Sequence, residues 1–181
     1  MKHTDKSEQF FIKLQKNNNC YNPSSIRKFV ATEFFLNKLQ QSYDSYDADP
    51  IKNLLSSDFV YESFFEFNII NGKSDYMNYL SHKLKKMKEF NYKEKLELLY
   101  NSDTGEQVLI FVDKSVPKQD GEYVCFVATA NDAGLIDRLV LTLTSFYDSL
   151  FLPKDALEDL ENIEVDVDDD ILPSFLVQTK Q

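Results

Sequence analysis

The residues best placed to do chemistry are a carboxylate and a carboxamide one helical turn apart. Pro23 and the serines Ser24 and Ser25 open a segment with helical periodicity that runs to about Gln41. At about 100° per residue, Ile26, Phe29, Val30, Phe34 and Leu36 share one arc, with Glu33 and Asn37 at its centre. A carboxylate in such a place is the kind of group that moves protons as a general acid or base. A carboxamide beside it can donate a hydrogen bond to a carbonyl. Other chemistry is poorly represented. The two histidines are His3, in the first few residues, and His82, which projects off the apolar arc of its own helix. Cys20 and Cys125 stand far apart with no histidine near them, so no zinc spacing exists. Asp166-Val167-Asp168-Asp169-Asp170 imitates the start of a calcium loop. However, Ile171 and Val177 stand where such a loop needs glycine and glutamate. Neither glycine-rich nucleotide motif occurs, so no metal and no cofactor is expected.

The elements that must position these residues follow from composition. The chain has 181 residues, 43% hydrophobic and 28% charged, which suits one folded domain with extensions. No apolar run is long enough for a membrane-spanning helix, and the N-terminus has no signal-peptide pattern. Two cysteines do not make a disulfide framework, so a reducing, cytoplasmic setting is expected. The net charge is −10. After Pro153 there are nine acidic and two basic residues, so the tail holds −7 and the rest −3. That balance excludes nucleic acid, whose affinity depends on neutralising phosphates. It favours a basic protein partner, or the chain's own Lys83, Lys85, Lys86, Lys88, Lys93 and Lys95.

Residues 1–22 read as an N-terminal arm, 23–150 as the folded domain and 151–181 as an acidic C-terminal extension. After the first helix, Ile51 to Leu55 reads as a short helix. Asp58 to Ser63 and Phe65 to Ile70 read as strands, broken by Asn71-Gly72. A second long helix runs to about Lys88, with Tyr76, Met77, Leu80, Leu84 and Met87 on its apolar face. Strands are then expected at Tyr92–Tyr100, Gln107–Lys114, Glu122–Ala130 and Leu135–Thr144, with turns at Asp103-Thr104-Gly105, Asp120-Gly121 and Asn131–Gly134. Such a meander needs helices on one face. A short helix at Lys154–Leu160 is possible on spacing.

This order resembles the nuclear transport factor 2-like proteins, including the SnoaL-like group. Leu54 to Ser63 resembles the entry into that group's first strand. Asn71 to Leu80 resembles its turn into the covering helix, and Asp132 to Ile136 its final hairpin. The resemblance covers about residues 24–147. It implies an α+β fold: a strongly curved antiparallel sheet of about five to six strands, with two to three helices on its concave face, cone-shaped. It also implies that the first helix lies across the sheet and aims Glu33 and Asn37 into the cone.

Placed so, Glu33 would be partly desolvated, its pKa would rise, and it becomes the candidate catalytic acid or base. Asn37, Tyr61, Glu62, Tyr92 and Arg138 are the candidate ligand-binding residues, with Tyr100 as a further phenolic donor. Structural readings stand beside each of these. Glu33 can pair with Arg138 to close the cone. Asn37 can be solvated. Glu62 and Arg138 change face with a one-residue shift of register. The fold hosts many activities, so function rests on the site. The residues match no segment of the ketosteroid isomerase branch one by one. Two readings result. One is a binding module for a small apolar molecule or a protein partner, paired as a homodimer and away from membranes. The other is a small-molecule enzyme of isomerase, dehydratase or hydrolase type that uses Glu33.

Overall fold

The computed structural model describes residues 23–66, 68–101, 106–112, 122–145 and 151–152. The expected N-terminal arm, the acidic extension, the helix at Lys154–Leu160 and the turns at Asp103-Thr104-Gly105 and Asp120-Gly121 lie outside them. Helix α1 spans Pro23–Ser45, longer by a turn than its spacing suggested. Proline suits the first position of a helix because its missing N–H has no partner to lose there. A 3-10 turn at Asp49–Leu54 leads into strand β1, Leu55–Ser63, which is followed by β2, Asn68–Asn71. Gly72 takes a φ of 95° before helix α2, Lys73–Glu89, a backbone state other residues rarely adopt. The remaining strands are β3 (Leu96–Asn101), β4 (Gln107–Phe111), β5 (Glu122–Ala130), β6 (Ile136–Ser145) and the two-residue β7 (Phe151–Leu152).

The fold is α+β, as expected. The sheet order is β2-β1-β6-β5-β4-β3-β7, seven strands among the described residues. It is mixed rather than wholly antiparallel, because β1 runs parallel to β6. Two strands brought together by most of the domain's length carry no local sign of their relative direction, which is why the meander alone suggested otherwise. Tyr92 stands in the connector before β3, not in the strand, and Phe65 and Glu66 form the turn after β1.

Alternation along the strands sends Phe59, Tyr61, Leu109, Phe111, Phe126, Leu139 and Leu141 to the face that both helices cover. From α1 come Phe35, Leu36, Leu39 and Tyr43. From α2 come Tyr76, Leu80, Leu84 and Met87, all into one core. The buried stripe of α1 is therefore rotated from the arc read in the sequence. Leu39 and Tyr43 shift its centre, leaving Phe34 half exposed and Asn37 in solvent. The β5–β6 turn ties down the start of α1. Asp132 Oδ1 accepts from Ser24 at 3.2 Å and pairs with Lys28 at 2.8 Å, contacts that lower its pKa, Lys28 contributing most. Ser24 thus serves that turn.

Candidate functional site

Glu33 is inside, as its spacing suggested. It is 8% exposed, and the Tyr100 hydroxyl of β3 donates a hydrogen bond to it. Burial, and then Glu33, push the Tyr100 pKa well up. Arg138 is not its partner. It pairs with Glu62 at 2.7 Å, and both lie on the sheet face opposite the helices, since each alternates with a core residue, Leu139 and Tyr61. Asn37 is exposed and donates from Nδ2 to the Glu33 carbonyl at 3.0 Å, a contact within the helix. The structure therefore does not gather Glu33, Asn37, Glu62 and Arg138 into one place.

Tyr61 and Tyr92 belong to a different end of the molecule. There, a hollow of about 500 Å³ is lined by Glu66, Tyr79, His82, Lys83, Lys86, Met87, Phe90 and Tyr92. The volume is in the range of ordinary small-molecule pockets. Its floor is the last two turns of α2, and its rim is the exposed pair Phe90 and Tyr92. Asn91, at a φ of 51°, turns the chain so that Tyr92 N–H caps Met87 O at 2.9 Å, which folds that rim back over the helix end. The hollow backs onto stacked phenols. Tyr61, Tyr76 and Tyr79 have ring centroids 5.1 to 6.2 Å apart. The Tyr79 hydroxyl lies 3.1 and 3.3 Å from the Glu66 carboxylate oxygens, so it donates to that carboxylate. Tyr79 titrates far above its ordinary range, through burial first and the neighbouring Tyr61 and Glu66 next.

Lys83 is the residue the sequence reading missed as a site residue. It reads there as part of a basic surface run. Its Nζ instead sits 5.9 Å from the centroid of the Tyr43 ring, in the core end of the hollow. Burial lowers its pKa, partly offset by the fields of Glu66 and Glu94. The signal in the sequence was weak. At about 100° per residue Lys83 falls about 20° beyond Tyr76, at the edge of the arc of Tyr76, Leu80, Leu84 and Met87 and not at its centre as Glu33 is in its own.

Two more hollows are present. One of about 460 Å³ is bounded by Phe29, Thr32, Gln107 and the end of β5, where β4 and β5 diverge. The other, about 640 Å³, lies beside the first turn of α2 with Lys52, Lys73 and Ser74. Glu33 lines none of the three. Among the described residues no group of three His, Cys, Asp or Glu side chains could hold a metal ion. Cys125 is fully buried, and burial, with Glu106, pushes its thiol up to about 12. Among the described residues no helix is long and apolar enough to cross a membrane.

No family model matches the chain. No curated protein matches it in sequence. Solved structures do match it in shape. A SnoaL-like protein of unknown function from Burkholderia thailandensis E264 is 10% identical, with 64% of this chain and 97% of that one covered, at a TM-score of 0.47. An NTF-2 like protein of unknown function from Burkholderia xenovorans LB400 is 13% identical over 64% and 84%, at 0.44. An epoxide hydrolase/cyclase-like enzyme of pyran ring formation in the polyether salinomycin is 12% identical over 62% and 90%, at 0.41. The first two carry the names of the group that the sequence resembles, and at this level of likeness nothing about ligand or reaction is taken from any of them.

Proposed function

We propose that the protein is a small-molecule binding module whose site is the hollow at the C-terminal end of α2. One observation carries the reading: a cavity of about 500 Å³ whose lining surface is mostly apolar, from Met87, Phe90, Tyr92 and the Tyr79 ring, with Glu66, His82, Lys83 and Lys86 as its polar groups. An apolar wall with sparse, placed polar groups is what holds and orients small ligands. The Glu33 enzyme reading has less support. Its carboxylate is engaged by Tyr100 and lines none of the hollows described.

The test is a fluorescence titration with a neutral aromatic probe, 2-naphthol, on the full chain. Saturable one-to-one binding is expected, weakened about tenfold or more when Phe90 and Tyr92 are both changed to alanine. Both side chains are exposed, at 79% and 45%, so the fold should tolerate the change. Binding that ignores this double change, or no saturable binding, overturns the reading.

A further inference from the structure

We propose that the molecule bound in this hollow ends in a carboxylate, and that Lys83 is its counter-ion. This rests on the reading of the hollow as a ligand site. Three other ammonium groups on the described surface have carboxylate partners: Lys28 with Asp132 at 2.8 Å, Lys93 with Asp44 at 3.7 Å and Lys85 with Glu89 at 3.9 Å. Lys83, which is half-buried, has no carboxylate at ion-pair distance among the described residues and faces the Tyr43 ring instead. The acid that shares its wall, Glu66, is turned to the Tyr79 hydroxyl.

An ammonium drawn from water without an anion is costly to the fold. The arrangement makes chemical sense if the anion arrives with the ligand. A carboxylate near Lys83 would gain a charge-assisted hydrogen bond in a partly desolvated place, and it would add to the offset that the fields of Glu66 and Glu94 already give. Lys86 on the same wall adds a second positive charge one turn outward. His82, also on the wall, is exposed and adds a further ring donor or acceptor. This small cationic patch is set in a chain of net charge −10, so the selectivity is local rather than a property of the surface. Met87, Phe90 and Tyr92 lie beyond the charge and would cover an apolar or aromatic body.

The experiment is calorimetric titration of the full chain with 4-phenylbutyrate and, separately, 4-phenyl-1-butanol, which share a body and differ in the head group. The acid should bind at least about tenfold more tightly than the alcohol. Lys83→Met should remove that preference while leaving alcohol binding in place, and Lys83→Arg should keep most of it. Circular dichroism of each variant checks the fold. Equal affinity of acid and alcohol for the unaltered protein overturns the carboxylate assignment and leaves the pocket reading standing. A preference that survives Lys83→Met also overturns it. If neither compound binds, both readings fall.

Discussion

Each of the two long helices turns a charged side chain away from solvent, Glu33 into the core and Lys83 part of the way, and the protein treats the two in opposite ways. Glu33 on α1 meets a donor from the sheet, Tyr100, and its surroundings are closed. Lys83 on α2 meets the face of an aromatic ring, and its surroundings open on a cavity. The first arrangement gives a buried carboxylate a donor from the fold itself, although its Oε2 has no hydrogen-bond partner among the described residues. The second leaves the charge to be satisfied from outside. A charge on an apolar helical face is therefore ambiguous until its partners are known, and the partner rather than the burial separates structure from site.

The largest effect that sharpens this comparison is alkaline unfolding. Tyr43 and Tyr76 are fully buried at the Lys83 end, and burial raises both pKa values well above the ordinary 10. The folded state then holds phenolic protons that the unfolded chain releases. Stability is unaffected below about pH 10 and falls above it, by about 1.4 kcal/mol per pH unit for each tyrosine, or about 3 kcal/mol for the two. Phenolate absorbance should rise together with the loss of far-ultraviolet dichroism. Tyr43→Phe and Tyr76→Phe should flatten the alkaline slope. A smooth phenolate titration near pH 10 in the folded protein would show that this end is wet.

Next in size is the closed end. Tyr100→Phe removes the hydroxyl bonded to Glu33 and should cost about 1–3 kcal/mol in urea unfolding, with ligand binding unchanged. A loss of binding there would move the functional site to Glu33. The open end should respond with the opposite sign. Lys83→Met should raise the stability of the unliganded protein by about 1 kcal/mol at neutral pH, since it removes an ammonium that burial disfavours. Because the folded pKa is lowered, this penalty is present below it and fades as pH rises toward 10.5, so the gap between variant and parent should narrow in alkali. The smallest effect belongs to the exterior pair. Arg138→Ala should cost less than about 1 kcal/mol and leave both interior ends unaffected, because its bond to Glu62 lies on the solvent side of the sheet.

Helical spacing made much of this legible. It located both helices, the buried faces of α2 and the anomaly at Glu33, because a period of 3.6 is written in a single segment. What it missed depended on pairing between segments. Glu62 and Arg138 face away from the helices because of register, and register is fixed across strands. In the sequence Tyr100 is one phenol among several, and its role as the Glu33 donor depends on β3 running beneath α1. The parallel β1–β6 pair was hidden for the same reason. Lys83 was obscured differently: its neighbours Lys85, Lys86 and Lys88 are exposed, and it stands at the edge of the apolar arc, so spacing and composition both suggested surface.

The most direct test is a methyl and amide NMR titration of the full chain with 4-phenylbutyrate. The account predicts saturating shifts of the Met87 methyl and of the Lys83, Phe90 and Tyr92 amides, with little change at Glu33 and Tyr100. Shifts centred on Phe29, Thr32 and Gln107 instead, or none at saturating ligand, would contradict it.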